Sequence, residues 1–181
     1  METRRTSLAI LLIAALSCIY FNSTVPAQAR VVSDTTYEKI FSQKFVAIEI
    51  ENANGRTVVE TWNSNRTRVS ASRNPIVGGT SIDARIRFQV SDTDLKIQVR
   101  EDRNEGPINL LVFVPRQISL AVRGNSEMIA IRGITNALSV QTESGDISLS
   151  LPKSANTDLS LRSLEGTIIS QLDMRVFGPV N

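Results

Sequence analysis

Gly124, Gly145 and Gly166 recur at intervals of 21 residues, and the residues around them recur with them. Leu138-Ser139-Val140 returns as Leu159-Ser160-Leu161, and Gly145-Asp146-Ile147 as Gly166-Thr167-Ile168. A fixed period of this size is the mark of architectures in which equivalent segments stack on one another. Each unit reads as two short strands joined at a glycine corner. The spacing therefore predicts an all-β, single-domain β-solenoid with coils of about 21 residues. It favours that form over a sandwich, because stacked coils of equal length keep equivalent positions in register.

The rest of the chain has the same grain. Val46, Ile48 and Ile50 alternate with Ala47, Glu49 and Glu51, the period of a half-buried strand. Ala84, Ile86, Phe88 and Val90, and then Leu95, Ile97 and Val99, repeat the pattern with charged or amide neighbours between them. Turn signals stand at Asn52-Ala53-Asn54-Gly55, Asn63-Ser64-Asn65, Asn74-Pro75 and Gly78-Gly79. Leu110 to Phe113 is apolar on both faces, so that strand is either covered on both sides or docks a partner. Candidate strands follow at 118–123, 128–132, 137–142, 146–151, 157–162 and 167–171. In the coil, Leu138, Val140, Ile147, Leu149, Leu151, Leu159, Leu161 and Ile168 point inward, with glycine corners at Gly55, Gly124, Gly145 and Gly166. Residues 73–83 and 101–107 read as irregular insertions. Thr35 to Gln43 reads as a short helix or irregular cap.

The amino end predicts export. Arg4 and Arg5 precede an apolar run from Leu8 to Leu16, and Ala27-Gln28-Ala29 offers a small-x-small cleavage pattern. The resulting division is a signal peptide at 1–29, a cap or linker at 30–44 and the β domain at 45–181. The expected compartment is secreted or periplasmic, with no stable membrane span after cleavage. Retention of the segment as an anchor, or lipidation at Cys18, are the alternatives. Cys18 is the one cysteine in the chain, so the mature portion has neither a disulfide framework nor thiol chemistry.

The full chain carries 20 Lys and Arg against 18 Asp and Glu. A balance so close to neutral gives no long-range pull toward nucleic acid. Histidine is absent, which removes the usual base near neutral pH and the commonest metal ligand. No catalytic, cofactor-binding or metal-ligating set emerges. Asp146 invites a calcium reading, but the matching positions are Asn125 and Thr167, so carboxylates do not stack. It reads instead as a turn aspartate bonding its own backbone. The candidate ligand surface consists of Arg66, Arg68, Arg85, Arg87, Lys96 and Arg100, outward positions that would form a basic stripe if their strands are neighbours. A second candidate is a neutral hydroxyl ladder of Ser139, Ser148, Ser150 and Ser160, in which Ser139 and Ser160 are 21 residues apart. Trp62 reads as a core or cap residue.

The segments Val46 to Gly55, Val58 to Trp62 and Val140 to Pro152 resemble the bacterial putative-adhesin domains, whose corners repeat Ser-Gly-Asp-Ile/Val. The resemblance covers roughly residues 37–172. It implies an exported, non-enzymatic β-solenoid and offers no catalytic residues. The expected role is a binding, adhesion or structural module at the cell envelope. Its expected partners are an envelope glycan or protein, or further copies meeting at solenoid edges. The competing expectations are a carbohydrate-active β-helix enzyme using Asp83, Asp92, Asp94, Glu101 and Asp102, whose carboxylates would have to converge, and an envelope sensor domain.

Overall fold

The computed structural model describes residues 35–171 apart from 103, 126, 154 and 156. The predicted signal peptide, its cleavage site, Cys18 and the tail beyond Gln171 lie outside the described residues. The described chain is all-β, in two open, mixed sheets. Strands β1 (Thr36–Phe41), β2 (Ala47–Asn52), β3 (Thr57–Trp62) and β4 (Thr67–Ser72) precede one helical turn, α1 (Ile82–Arg85). Then come β5 (Ile86–Val90), β6 (Asp94–Val99), β7 (Asn109–Pro115), β8 (Ser119–Gly124) and β9 (Ile129–Arg132). The series closes with β10 (Leu138–Thr142), β11 (Ile147–Ser150), β12 (Leu159–Ser163) and β13 (Ile168–Ser170).

One sheet has the order β1-β4-β7-β3-β9-β11-β13, the other β12-β10-β8-β2-β6-β5. From β6 onward the chain crosses between the sheets at each connection, so β6/β7, β8/β9, β10/β11 and β12/β13 are tiers of two strands. Equivalent strands of adjacent tiers pair in parallel. The β2/β3 tier, first in sequence, lies between β6/β7 and β8/β9. Antiparallel β1, β4 and β5 complete the end beyond β6/β7.

The alternation read from the sequence sets which side chains meet. Ile48, Ile50, Leu95, Ile97, Leu120, Val122, Leu138 and Val140 of the six-stranded sheet share one core with Val59, Val112, Ile129, Ile131, Ile147 and Leu149 of the other. Each fully buried aliphatic contributes about 1.5–3 kcal/mol relative to exposure.

Several expectations need correction. The 21-residue interval is the register between the last two tiers, where Leu138 faces Leu159 and Ile147 faces Ile168. Between β8/β9 and β10/β11 the interval is 18, with Leu120 opposite Leu138 and Ile129 opposite Ile147. Gly124 is therefore not the counterpart of Gly145. It lies opposite Thr142, and the neighbour of Gly145 in the preceding tier is Glu127. Residues 36–41 form a strand rather than a helix, because Tyr37 and Phe41 alternate toward Phe88 and the chain pairs with β4. The strand expected from Ala84 begins at Ile86, since α1 intervenes and leaves Ala84 exposed. Val46 precedes β2 and is 57% exposed instead of sharing the inward face of Ile48.

The corners are built by short side chains. The Thr142 hydroxyl accepts from the Gly145 N–H at 3.0 Å and donates to the Asn125 carbonyl at 3.3 Å. Ser163 repeats this one tier on, accepting from Gly166 N–H at 2.8 Å and donating to the Gly145 carbonyl. At the equivalent place in β2, the Asn52 amide donates to the carbonyls of Gly55 and Ile108. Of the predicted corner glycines, Gly55 alone has a positive φ, at 131°. Gly145 and Gly166 are required by close approach: a Cβ would run into the carbonyls of Glu127 and Gly145 respectively.

Candidate functional site

On the outer face of the six-stranded sheet, side chains of successive strands line up in rows. One row runs Lys96, Glu49, Ala121, Ser139, Ser160. The next runs Gln98, Glu51, Arg123, Gln141, Arg162. The short side chains Ala121, Ser139 and Ser160 beside the tall Lys96 and Glu49 leave a trough of about 780 Å³.

The charges beside this trough satisfy one another. Lys96 Nζ donates to Glu51 Oε1 at 2.7 Å and lies 3.4 Å from Glu49 Oε1. Gln98 donates to Glu51 Oε2 at 2.5 Å. Arg123 pairs with Glu49 and lies 3.3 Å from Glu51. The donation from Lys96, then that from Gln98, pulls the Glu51 carboxyl down to about 2. Its hydrogen bond to Glu51 in turn raises Lys96. Two cations and two carboxylates thus cancel across β6, β2 and β8, and Ala121, Ser139 and Ser160 continue the first row without charge. Hydroxyls line the trough together with the carboxylates of Asp94 and Asp158, a surface suited to polar binding.

The outer face of the seven-stranded sheet is different. There Leu111 of β7 lies level with Val58 and Ser70, and Phe113 with Glu60 and Arg68. The Arg68 guanidinium sits 4.4 Å from the Phe113 ring centre and 5.5 Å from that of Trp62. Trp62 packs on Phe113 at 5.7 Å and donates its indole N–H to the Arg66 carbonyl at 2.8 Å. Such arginine–aromatic packing covers the second apolar side of β7 with the chain's own residues. Glu60 and Arg132 close the next positions with a 2.7 Å ion pair.

The six basic candidates fall in different places. Arg66 is in the β3–β4 turn and Arg68 is on β4, in the seven-stranded sheet, whereas Arg87 and Lys96 are on the other sheet and Arg100 follows β6. Arg85 is not outward: it is 5% exposed, its guanidinium donating to the carbonyls of Arg100 and Gly106 at 3.0 and 3.1 Å. The helical turn α1 breaks the alternation that had put it outside. Ser139 and Ser160, by contrast, are direct cross-strand neighbours and both exposed. Asp92 and Asp94 lie at one end of β6, Glu101 and Asp102 beyond the other, so a six-residue strand of ~20 Å separates them. The Asp146 carboxylate accepts the Thr167 N–H of the next tier at 2.9 Å, rather than bonding its own turn.

A polar centre between the two irregular insertions, with Arg73 and Arg85 buried and Glu105 half-buried, had no sequence signal. The Glu105 carboxylate accepts from Thr80 through both its hydroxyl and its N–H, and pairs with Arg73 at 2.9 Å; Arg85 lies 3.8 Å away. Those Thr80 bonds first, then Arg73, lower the Glu105 carboxyl. Its partners are 25 and 32 residues distant in sequence, beyond the reach of any local pattern. The centre ties segment 73–83 to segment 101–107.

No protein-family model matches the chain, and no curated protein matches it. Among solved structures it is similar to a putative cell adhesion protein from Clostridium sporogenes, at 8% identity over 75% of this chain and 98% of that one, TM-score 0.42. A putative adhesin from Bacteroides fragilis is similar at 14% identity over 76% and 98% of the two chains, TM-score 0.35. A putative adhesin from Parabacteroides distasonis is similar at 11% identity over 75% and 64%, TM-score 0.39.

Proposed function

We propose that this chain is an exported, non-enzymatic binding module of the bacterial cell envelope, a short β-solenoid whose outer wall holds a neutral glycan strand. The solenoid reading is supported by in-register parallel pairing from β6 through β12 and from β7 through β13. The export reading rests on the charged, apolar and small-residue sequence of residues 1–29. Among the described residues, no helix is long and apolar enough to cross a membrane.

The observation that carries the ligand reading is the trough along Ala121, Ser139 and Ser160 beside charges that already cancel. The trough's lining carries hydroxyls and, besides Lys96, the carboxylates of Glu49, Asp94 and Asp158, a surface that favours sugar hydroxyls over phosphates or nucleic acid. Each such hydrogen bond is worth only about 0.5–1.5 kcal/mol net, so useful retention comes from several residues of a polymer, or several modules, engaging together. Glycan-array and pull-down binding of the purified protein tests this. Ser139→Tyr, which fills the trough from an exposed position, should abolish retention of the bound glycan while leaving the circular dichroism spectrum unchanged. Undiminished retention by that variant would remove the trough as the site.

A further inference from the structure

The two ends of the tier stack are finished differently. Beyond β6/β7, the antiparallel strands close the core with rings: Phe88 stacks on Tyr37 at 6.3 Å and packs tilted against Phe41 at 5.2 Å, and Lys39 Nζ lies 4.6 Å over Phe88. At the β12/β13 end the same inward positions lose their cover. Ile147 is 0% exposed, yet its counterpart Ile168 is 38% exposed. Leu138 and Val140 are 1% exposed, while Leu159 and Leu161 are only partly buried. Leu164 and Ile169 add exposures of 61% and 57%. Both β12 and β13 are edge strands, and an edge with apolar side chains is a template for pairing.

We infer that two copies of this chain join end to end through β12 and β13, about a two-fold axis that sets Asp158 of each copy against Arg162 of the other. This deepens the envelope-module reading by choosing the edge at which copies meet, and it rests on the tier registers rather than on the glycan.

The symmetry follows from strand direction. A two-fold axis across the end of the stack reverses each strand, so β12 meets its copy antiparallel. Centred on Ser160, it places Leu159 opposite Leu161 and Asp158 opposite Arg162. Inward residues then meet inward ones, and outward residues meet outward ones, as the pleat requires. Asp158 and Arg162 are both exposed, and neither side chain has a hydrogen bond or ion pair among the described residues. Opposite charges directly across an antiparallel pair stabilise it, and like charges destabilise it. Ser160 stands three residues before Ser163, and Ile169 three after Gly166, on either side of the corner those two residues build. The same axis therefore passes near Ile169 and brings that side chain against its own copy. Leu159, Leu161 and Ile168 would close over their symmetry mates, extending one core through both chains. This is a closed, isologous contact, so it stops at two copies.

Sedimentation velocity of the full-length protein from about 1 to 200 µM tests the inference, since a dimer must follow mass action. The expected result is a shift from one protomer mass to twice that mass. Asp158→Arg and Arg162→Asp each set like charges across the axis, and each should weaken self-association at least tenfold. An equimolar mixture of the two variants should regain the dimer as a heterodimer, which mere misfolding of either could not do. A wild-type monomer at every concentration overturns the proposal, as it would if residues 172–181 of the same chain covered this edge. A dimer untouched by both substitutions overturns it equally. Arg162 does not line the trough whereas Asp158 does, so glycan retention by the monomeric Arg162→Asp variant reads the trough separately, and failure of either idea is visible without the other.

Discussion

At Gly145 the constraint is the next tier's backbone rather than the residue's own dihedral angles. Its N–H is held by the Thr142 hydroxyl, and the space where a Cβ would go is filled by the Glu127 carbonyl. A Cβ at Gly124 would press only on the flexible end of Ile129, at 3.2 Å, with the Asn52 carbonyl at an ordinary contact distance of 3.4 Å. Gly145→Ala should therefore cost about 1–3 kcal/mol, the usual range for forced overpacking, and Gly124→Ala clearly less, as read by urea denaturation. Equal losses at the two positions would refute the close-approach account. The corner at Gly145 and its repeat at Gly166 were legible in the sequence, because the hydroxyl three residues earlier recurs along with the glycine. Gly124 shares the spacing but not the role. A count of residues cannot reveal that one tier is three residues shorter than the next.

Strands were the most legible elements, since alternation fixes a face without knowledge of the partner. Where alternation and chain direction part, as at α1, the reading failed: Arg85 looked outward and is buried. The ladder formed by Glu49, Glu51, Lys96 and Arg123 was also hidden, because it needs the order β6, β2, β8, which adjacency in sequence does not suggest. That ladder makes a pH prediction. Ionised Glu51 is favoured in the folded chain, its carboxyl lying at about 2 instead of the ordinary 4.5. The contribution is thus complete above the unfolded value and drains away as acidity rises toward the folded one. Thermal melts of the wild type and Glu51→Gln should lie furthest apart near about pH 6 and converge near about pH 2. Curves that stay parallel across that range would show that the carboxylate adds nothing to the joining of these strands. Lys96, an outward member of the basic stripe in the sequence reading, is already committed to this ladder, which weakens its claim as part of that stripe.

For the molecule as a whole, stability should be graded along the stack. Tiers β2/β3 and β8/β9 have neighbours on both sides, whereas β12/β13 has one. In the Asp158→Arg variant, kept monomeric, amide exchange should be fastest in 159–170 and slowest in 47–62 and 119–132, because local opening follows the number of packed neighbours. Uniform protection would mean that the tiers unfold as one unit. The repeated segments announced stacking, but nothing in the sequence announced that β2 and β3 lie inside the pile. That placement has a consequence for how the chain is made. A polypeptide made amino end first cannot lock its middle layer until the stretch through residue 132 has followed, because the flanks of that layer are supplied by what comes later. Premature closure is discouraged by the wiring itself, because the earlier strands of the layer wait for partners that are made last.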